Sequence, residues 1–197
     1  VTIYQQTAKG NVKPIHTITG SSTGLSQPYG ITVDSKHKVY IVSTSGGSQS
    51  TGSLTVYAAG ANGNVAPIRT ITGSNTGLFY PIGVALDSKA KTYVTNSNGQ
   101  SVTVFAAGAN GDVAPIRTIS GSNTGLFYPL GIAVGGTGKT YVANSSGGSV
   151  TVYAPGANGN VTPIQTITGS NTGLNQPQGI ALDAAGKIYV TIWPTPA

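Results

Sequence analysis

Repetition limits the folds open to this chain. Pro81–Tyr128 reads PIGVALDSKAKTYVTNSNGQSVTVFAAGANGDVAPIRTISGSNTGLFY, and the 48 residues after it, Pro129–Gln176, follow the same pattern almost position by position. Three registers carry the repeat along the chain: Gly30, Gly83, Gly131 and Gly179; Pro14, Pro67, Pro115 and Pro163; and Tyr4, Tyr57, Phe105 and Tyr153. In each register the last two steps are 48 residues and the first is 53. A fixed period of this size means that one supersecondary unit is stacked on copies of itself, each burying its neighbour's apolar face.

Within one unit the signals are those of four short strands. Gly83–Leu86 is a near-continuous apolar run, Thr92–Thr95 and Val102–Ala106 are rich in Val, Thr and aromatics, and Pro115–Ile119 supplies the fourth. No stretch shows a 3.6-residue period with helix caps. Asn62-Gly63, Asn110-Gly111 and Asn158-Gly159 sit between third and fourth strands, where Asn-Gly suits the positive φ angles of a tight hairpin turn. A proline in the fourth strand cannot donate to a ladder, which places that strand at a sheet edge and blocks edge-to-edge pairing. Four-stranded units of roughly 40–50 residues, with an apolar inner strand and a marked outer one, predict an all-β propeller. A solenoid of stacked hairpins is the rival arrangement.

Pro177-Gln178-Gly179-Ile180-Ala181-Leu182-Asp183, followed by Gly186-Lys187-Ile188-Tyr189-Val190, resembles the NHL repeat of β-propellers. Asn98 with Val102–Phe105 matches the later part of that repeat. The resemblance recurs in every copy and covers nearly the whole chain, with one departure: Gly135-Gly136 stands where the other copies have Asp-Ser or Asp-Ala. It implies a β-propeller of four NHL-like four-stranded blades. Val1–Gly20 holds only third and fourth strands, and Pro177–Trp193 only first and second. The expected domain is therefore one unit over 1–197, with complete blades at 28–73, 81–121 and 129–169 and a closing blade split between 1–20 and 177–193. NHL-type propellers usually have six blades, so four leaves two arrangements. The ring closes two-plus-two within one chain, which is the arrangement expected, or another copy completes the half-blades and a symmetric dimer carries eight. Members of the family include scaffolds, RNA-binding domains, lyases and gluconolactonase-like enzymes, so the resemblance implies a fold and leaves activity open.

Charged residues make up 7% of the chain, against roughly 25% in ordinary globular proteins. There is no Glu, and the acids are Asp34, Asp87, Asp112 and Asp183. Ser, Thr, Asn and Gly must carry solubility, and so little like-charge repulsion favours self-association. The absence of Cys excludes disulfides, Cys-based zinc sites and thiol catalysis. The chain starts at Val1, contains no Met, and has no apolar run near the roughly 18 residues of a membrane span. The expectation is a mature secreted or cell-surface protein whose signal peptide has been removed.

In a propeller the turns after first and third strands share one face, and the remaining loops share the other. Lys36, Lys38, Lys89, Lys91, Lys139 and Lys187 fall in the first kind of turn and Lys9 and Lys13 in the second, beside the aspartates. Eight lysines against four aspartates leave that face at about +4, dilute for nucleic acid. Solvated turns account for it, and no nucleic-acid partner is expected.

The opposite face carries no formal charge. Loops leading into first strands bring Tyr29, Phe79, Tyr80, Phe127, Tyr128 and Gln178 to it, and Asn96, Asn98 and Asn144 lie beside them. Aromatic platforms among neutral amides suit a glycan or protein ligand; the structural alternative is that these side chains plug the seams between blades. Catalysis is not expected. Gluconolactonase-like propellers hold a metal with inward-facing Glu, Asp and Asn, whereas this chain lacks Glu and its aspartates end strands. His16 and His37 do not repeat into a cluster, and no Ser stands in a GxSxG context. No metal, cofactor or catalytic residue is expected. The expected function is a non-catalytic binding or scaffold module. Self-assembly through the split blade is the alternative, and a metal-dependent lactonase- or lyase-like enzyme the third reading.

Overall fold

The computed structural model describes residues 1–44 and 51–193, so 45–50 of the expected 28–73 blade and 194–197 of the expected domain lie outside it. The described residues form short strands, with single 3-10 turns at Ser21–Thr23 and Ser170–Thr172. β1 (Thr2–Ile3) and β2 (His16–Thr17) make a two-stranded sheet. Three four-stranded sheets follow. The first contains β3 (Pro28–Val33), β4 (Val39–Ser43), β5 (Ser53–Tyr57) and β6 (Arg69–Ile71). The second contains β7 (Pro81–Leu86), β8 (Thr92–Asn96), β9 (Ser101–Phe105) and β10 (Arg117–Ser120). The third contains β11 (Pro129–Val134), β12 (Thr140–Asn144), β13 (Ser149–Tyr153) and β14 (Gln165–Ile167). β15 (Pro177–Leu182) and β16 (Ile188–Ile192) form a second two-stranded sheet. Within the sheets, pairing is antiparallel between consecutive strands: Leu86 lies opposite Thr92, Thr92 opposite Phe105, and Val104 opposite Arg117. The fold is all-β and propeller-like.

The inner strands β3, β7, β11 and β15 pack on one another in chain order. Gly30, Gly83 and Gly131 make this approach possible, because a Cβ there would strike the carbonyl oxygen of Ile82, Leu130 or Gln178 in the next inner strand. Apolar layers fill the seams. Tyr40, Val42, Leu54, Val56 and Ile71 of the first blade meet Leu78, Val84, Val94 and Phe105 of the second. Tyr93, Val102, Val104 and Ile119 meet Leu126, Ile132, Val142 and Tyr153 in the same way. A buried phenol needs a polar partner. Tyr57 donates to the Thr23 carbonyl, and Tyr153 to that of Thr124 at 2.6 Å.

The Asn-Gly segments are not the expected tight hairpins. Between Phe105 and Arg117 the chain leaves its own sheet and runs beside the outer strand of the preceding one. Gly63, Gly111 and Gly159 form parallel bridges with Ile18, Ile71 and Ile119. Oδ1 of Asn62, Asn110 and Asn158 accepts the backbone N–H of Thr17, Thr70 and Thr118 at 2.8, 2.9 and 2.9 Å. The amide oxygen satisfies an outer-strand N–H that a hairpin would have left open. This excursion carries Asp112 to the Asn75 N–H, 2.8 Å away in the loop leading into β7, so the four aspartates do not share one face as expected, and the loop face is not free of formal charge. The β1–β2 and β15–β16 sheets stay separate, with no ladder between them among the described residues.

Burial pushes the Tyr153 phenol up to about 12, a hydrogen bond with Thr151 opposing only in part. Its folded value thus lies above the roughly 10 of an unfolded tyrosine. The stabilisation from the protonated phenol is complete below about pH 10 and is lost as pH rises through about 12. Circular dichroism at increasing pH should show the wild type losing more stability in this window than Tyr153→Phe, which starts about 1 kcal/mol less stable at neutral pH. Parallel curves would refute this.

Candidate functional site

The loops into the inner strands share one construction. The hydroxyls of Thr23, Thr76, Thr124 and Thr172 donate to the carbonyls of Gly20, Gly73, Gly121 and Gly169 at 2.7, 2.8, 2.7 and 2.7 Å. Each also accepts the N–H of the leucine two residues on. The chain then reaches the residue before the strand's proline in a left-handed conformation: Gln27, Tyr80, Tyr128 and Gln176 have φ of 43, 55, 53 and 41°. A side chain at such a φ costs about 1–3 kcal/mol, so the surroundings must impose it. They do. The N–H groups of Ser97 and Ser145 donate to the Tyr80 and Tyr128 carbonyls, both at 3.1 Å. Asn96 and Asn144 Oδ1 accept the N–H groups of Phe79 and Phe127 at 3.1 and 3.3 Å.

Tyr29 and Tyr80 are brought together, with Tyr128 near Tyr80. Tyr29 and Gln178 are the second residues of β3 and β15, and Tyr80 and Tyr128 immediately precede β7 and β11; the strands they lead into line an open cavity of about 220 Å³ at residues 30–31, 82–84, 130–132 and 178–180. The Tyr29 and Tyr80 hydroxyls are 3.4 Å apart, their rings 6.1 Å apart and tilted by 44°. The hydrogen bond shared with Tyr29 pushes the Tyr80 phenol up; repulsion from Tyr29, slight burial and the nearby Tyr128 add to it. Gln178 Nε2 donates to Ser145 Oγ at 3.3 Å and the Gln176 carbonyl at 3.1 Å. Phe127 is exposed beside a groove of about 410 Å³ that also touches Gly99, Gln100 and Ser120, while Phe79 and Asn98 are half-buried.

Asn96 and Asn144 lie beneath this surface, fully buried. Asn96 Nδ2 donates to Ser101 Oγ and Thr103 Oγ1, and Asn144 Nδ2 to Ser149 Oγ and Thr151 Oγ1. With Oδ1 on the loop N–H, both amides are committed to holding the loops. The sequence reading also passed over Thr95, whose hydroxyl accepts the Gly83 N–H at 2.8 Å and donates to the Leu130 carbonyl at 2.6 Å, joining two blades. Ladder register was the available signal for the asparagines. Each ends a second strand directly opposite the first proline of the inner strand.

The basic face consists of capped turns. Asp34 Oδ1 accepts the N–H groups of Lys36 and Lys38, both at 2.9 Å, and Oδ2 accepts the Tyr40 hydroxyl at 3.3 Å. Burial opposes ionisation of Asp34, but the N–H groups of Lys38 and Lys36, the Tyr40 hydroxyl and the Lys38 charge outweigh it and hold the carboxyl below its ordinary value. Asp87 and Asp183 repeat the cap. Arg69 and Arg117 lie over the Tyr40 and Tyr93 rings at 5.7 and 5.8 Å, and Nη2 of each donates to the phenol. Both guanidinium groups thereby serve the seams.

No protein-family profile matches the sequence, and no curated protein matches it. Solved structures do. A catalytically inactive virginiamycin B lyase from Staphylococcus aureus, crystallised with quinupristin, is 19% identical with a TM-score of 0.58, over 84% of this chain and 49% of its own. A protein from Lactobacillus plantarum is 14% identical with a TM-score of 0.65, over 96% and 57%. The Malassezia sympodialis allergen Mala s 1 is 15% identical with a TM-score of 0.58, over 84% and 57%. The likeness shows a propeller fold. This chain spans about half the length of the structures it matches. The comparison also corrects the expectation that the chain is not an enzyme: a lyase shares this architecture, and neither low charge nor missing Glu excludes turnover. No helix among the described residues is long and apolar enough to cross a membrane.

Asn144→Ala should lower stability by about 1–3 kcal/mol, because it removes the acceptor of the partly buried Phe127 N–H and the donor to the buried Ser149 and Thr151 hydroxyls. Phe127→Ala, on the exposed side of the same loop, should cost about 0.5 kcal/mol or less. Urea midpoints compare the two; equal costs would show that the asparagine is no strut.

Proposed function

We propose that the loop face, at its tyrosine cluster, binds a neutral glycan or an uncharged segment of a partner protein. Tyr29, Tyr80 and Tyr128 form the stacking platform, Gln178 supplies hydrogen bonds, and Phe79, Phe127 and Asn98 flank them. The contact that carries this reading is the Tyr29–Tyr80 pair, rings 6.1 Å and hydroxyls 3.4 Å apart, beside a cavity whose lining holds no charged side chain. A neutral ligand there meets no charge that must be stripped of water, and backbone strain holds the phenols ready before it arrives, which lowers the entropic cost of binding. Asn96 and Asn144 act one layer down, by fixing the loops. The glycine-led inner strands and aspartate-capped turns support reading 1–197 as one NHL-type propeller domain, and the low charge supports a secreted or cell-surface location.

The lyase crystallised with quinupristin makes that compound a rational probe of the same face, alongside neutral oligosaccharides. Calorimetry should show each of Tyr29→Ala, Tyr80→Ala and Tyr128→Ala weakening binding about tenfold, with urea midpoints nearly unchanged. Full affinity in the Tyr29→Ala/Tyr80→Ala double variant would remove the platform from the site. Product analysis after incubation separates binding from turnover.

A further inference from the structure

We propose that the turn between β11 and β12 binds a carboxylate from outside the chain, seated where the other copies of the repeat hold an aspartate of their own. Those copies supply the template. In each, the aspartate follows the inner strand, and one carboxylate oxygen accepts two backbone N–H groups of the turn. Asp34 takes those of Lys36 and Lys38, both at 2.9 Å, and Asp87 those of Lys89 and Lys91, both at 2.9 Å. Asp183 takes those of Ala185 and Lys187, at 3.0 and 2.8 Å. The other oxygen accepts the hydroxyl of a second-strand tyrosine, Tyr40, Tyr93 or Tyr189, at 3.3, 3.5 and 3.2 Å. In the first two blades Arg69 or Arg117 donates to the same phenol.

The third blade keeps the cradle and has no carboxylate of its own to fill it. Gly135 stands at the aspartate position, Thr137 and Lys139 at those of the two donors, and Tyr141 at that of the phenol, while Gln165 replaces the arginine. The turn has the same backbone as its counterparts. The Gly135 N–H donates to the Lys139 carbonyl at 2.9 Å and the Gly138 N–H to the Gly135 carbonyl at 2.8 Å. The same two bonds measure 3.1 and 2.9 Å in the Asp34 and Asp87 turns. Gly138 has φ of +82°, as Gly186 has +81° in the Asp183 turn. The carboxylate is thus not needed to shape the turn. The Thr137 and Lys139 N–H groups and the Tyr141 hydroxyl meet no partner among the described residues.

The turn and Tyr141 line a cavity of about 550 Å³, with Leu182 and Asp183 of the next hairpin on its far side. Charge favours an anion there. Lys139 is in the cavity wall, and Lys89, Lys91 and Arg117 border the other side of the same turn, against Asp87 and Asp183. Both aspartates are engaged by the N–H groups of their own turns. A filled cradle shows the preference: burial opposes ionisation of Asp34, yet the Lys38 and Lys36 N–H groups, the Tyr40 hydroxyl and the Lys38 charge outweigh it. Donors so arranged hold the ionised carboxylate in preference to the acid, and hydrogen bonds to a charged acceptor are the strong ones. Gly135 follows β11 and Tyr128 precedes it, so this turn lies at the other end of the strand from the tyrosine cluster. A free carboxylic acid and an acidic side chain of a peptide present the same group.

Acetate titrated into the isotopically labelled chain should move the Thr137 and Lys139 amide resonances saturably, and sodium chloride at matched ionic strength should not. Gly135→Asp supplies the carboxylate from within. Gly135 has no left-handed φ, and a Cβ there would stand 3.3 Å from the Tyr141 ring, a contact that a small shift of the ring relieves. This variant should raise the urea midpoint and abolish the acetate response. Tyr141→Phe should weaken acetate binding about tenfold with a nearly unchanged midpoint. A peptide with blocked ends and one Asp, titrated in parallel, separates the two sources: tighter binding than acetate assigns a chain-borne carboxylate, weaker binding a free acid. Chloride shifts equal to those of acetate, no saturable response of the two amides, or an undiminished response in folded Gly135→Asp would overturn the proposal.

Discussion

The structure depends on the way each sheet satisfies the outer strand of the sheet before it. An outer strand carries backbone N–H and C=O groups with no ladder partner, and here the following blade's Asn-Gly segment supplies both complements. At the first joint the Asn62 amide oxygen takes the Thr17 N–H and the Gly63 N–H meets the Thr17 carbonyl. Gly63 can do so only because φ of +76° is open to glycine. One residue on, Asn64 reaches the turn at Gly20–Ser22 and fixes the start of the next inner-strand loop. That loop sets the threonine cap, and the cap precedes the left-handed residue before proline, which is Tyr80 or Tyr128 in the two middle copies. The candidate site is thus downstream of the joint between sheets.

Much of the fold was legible because its strongest constraints recur. A glycine at the head of every inner strand reports a close backbone approach, and the apolar runs after it report strands packed on both faces. The Asn-Gly segment was harder to read, since a positive-φ glycine serves a tight hairpin and a crossing segment equally well. What separates them is the eleven residues between Phe105 and Arg117, too many for a hairpin turn. The tyrosines of the candidate site were legible as an aromatic, charge-free cluster. Asn96 and Asn98 could not be told apart from composition, lying two residues apart in one polar run. Ladder register separates them: Asn96 pairs with Pro81 inside the sheet, whereas Asn98 lies in the turn beyond it. Catalytic standing was the least legible, because missing Glu speaks only against one kind of metal site.

The shortage of charge follows from the same architecture. A blade between two others must be apolar on both faces, which leaves turns and the outermost strand for ionised groups. Polar side chains elsewhere are turned inward to the backbone. Thr23, Thr76, Thr124 and Thr172 cap loops, Asn62, Asn110 and Asn158 cap outer strands, and Asp34, Asp87 and Asp183 cap turns. Short-range hydrogen bonds of this kind are nearly insensitive to ionic strength, unlike surface ion pairs. Arg69 and Arg117 fit the pattern, since they lie over tyrosine rings in the seams.

A low-charge surface has a consequence for recognition. Attraction over distance is weak, so a partner must be selected by close fit rather than by steering. The candidate site has that character. It offers aromatic rings and neutral amides on loops whose backbone is already set, with Tyr80 and Tyr128 at φ of 55 and 53° and their carbonyls held by the Ser97 and Ser145 N–H groups. Preorganisation then replaces long-range electrostatics as the source of specificity.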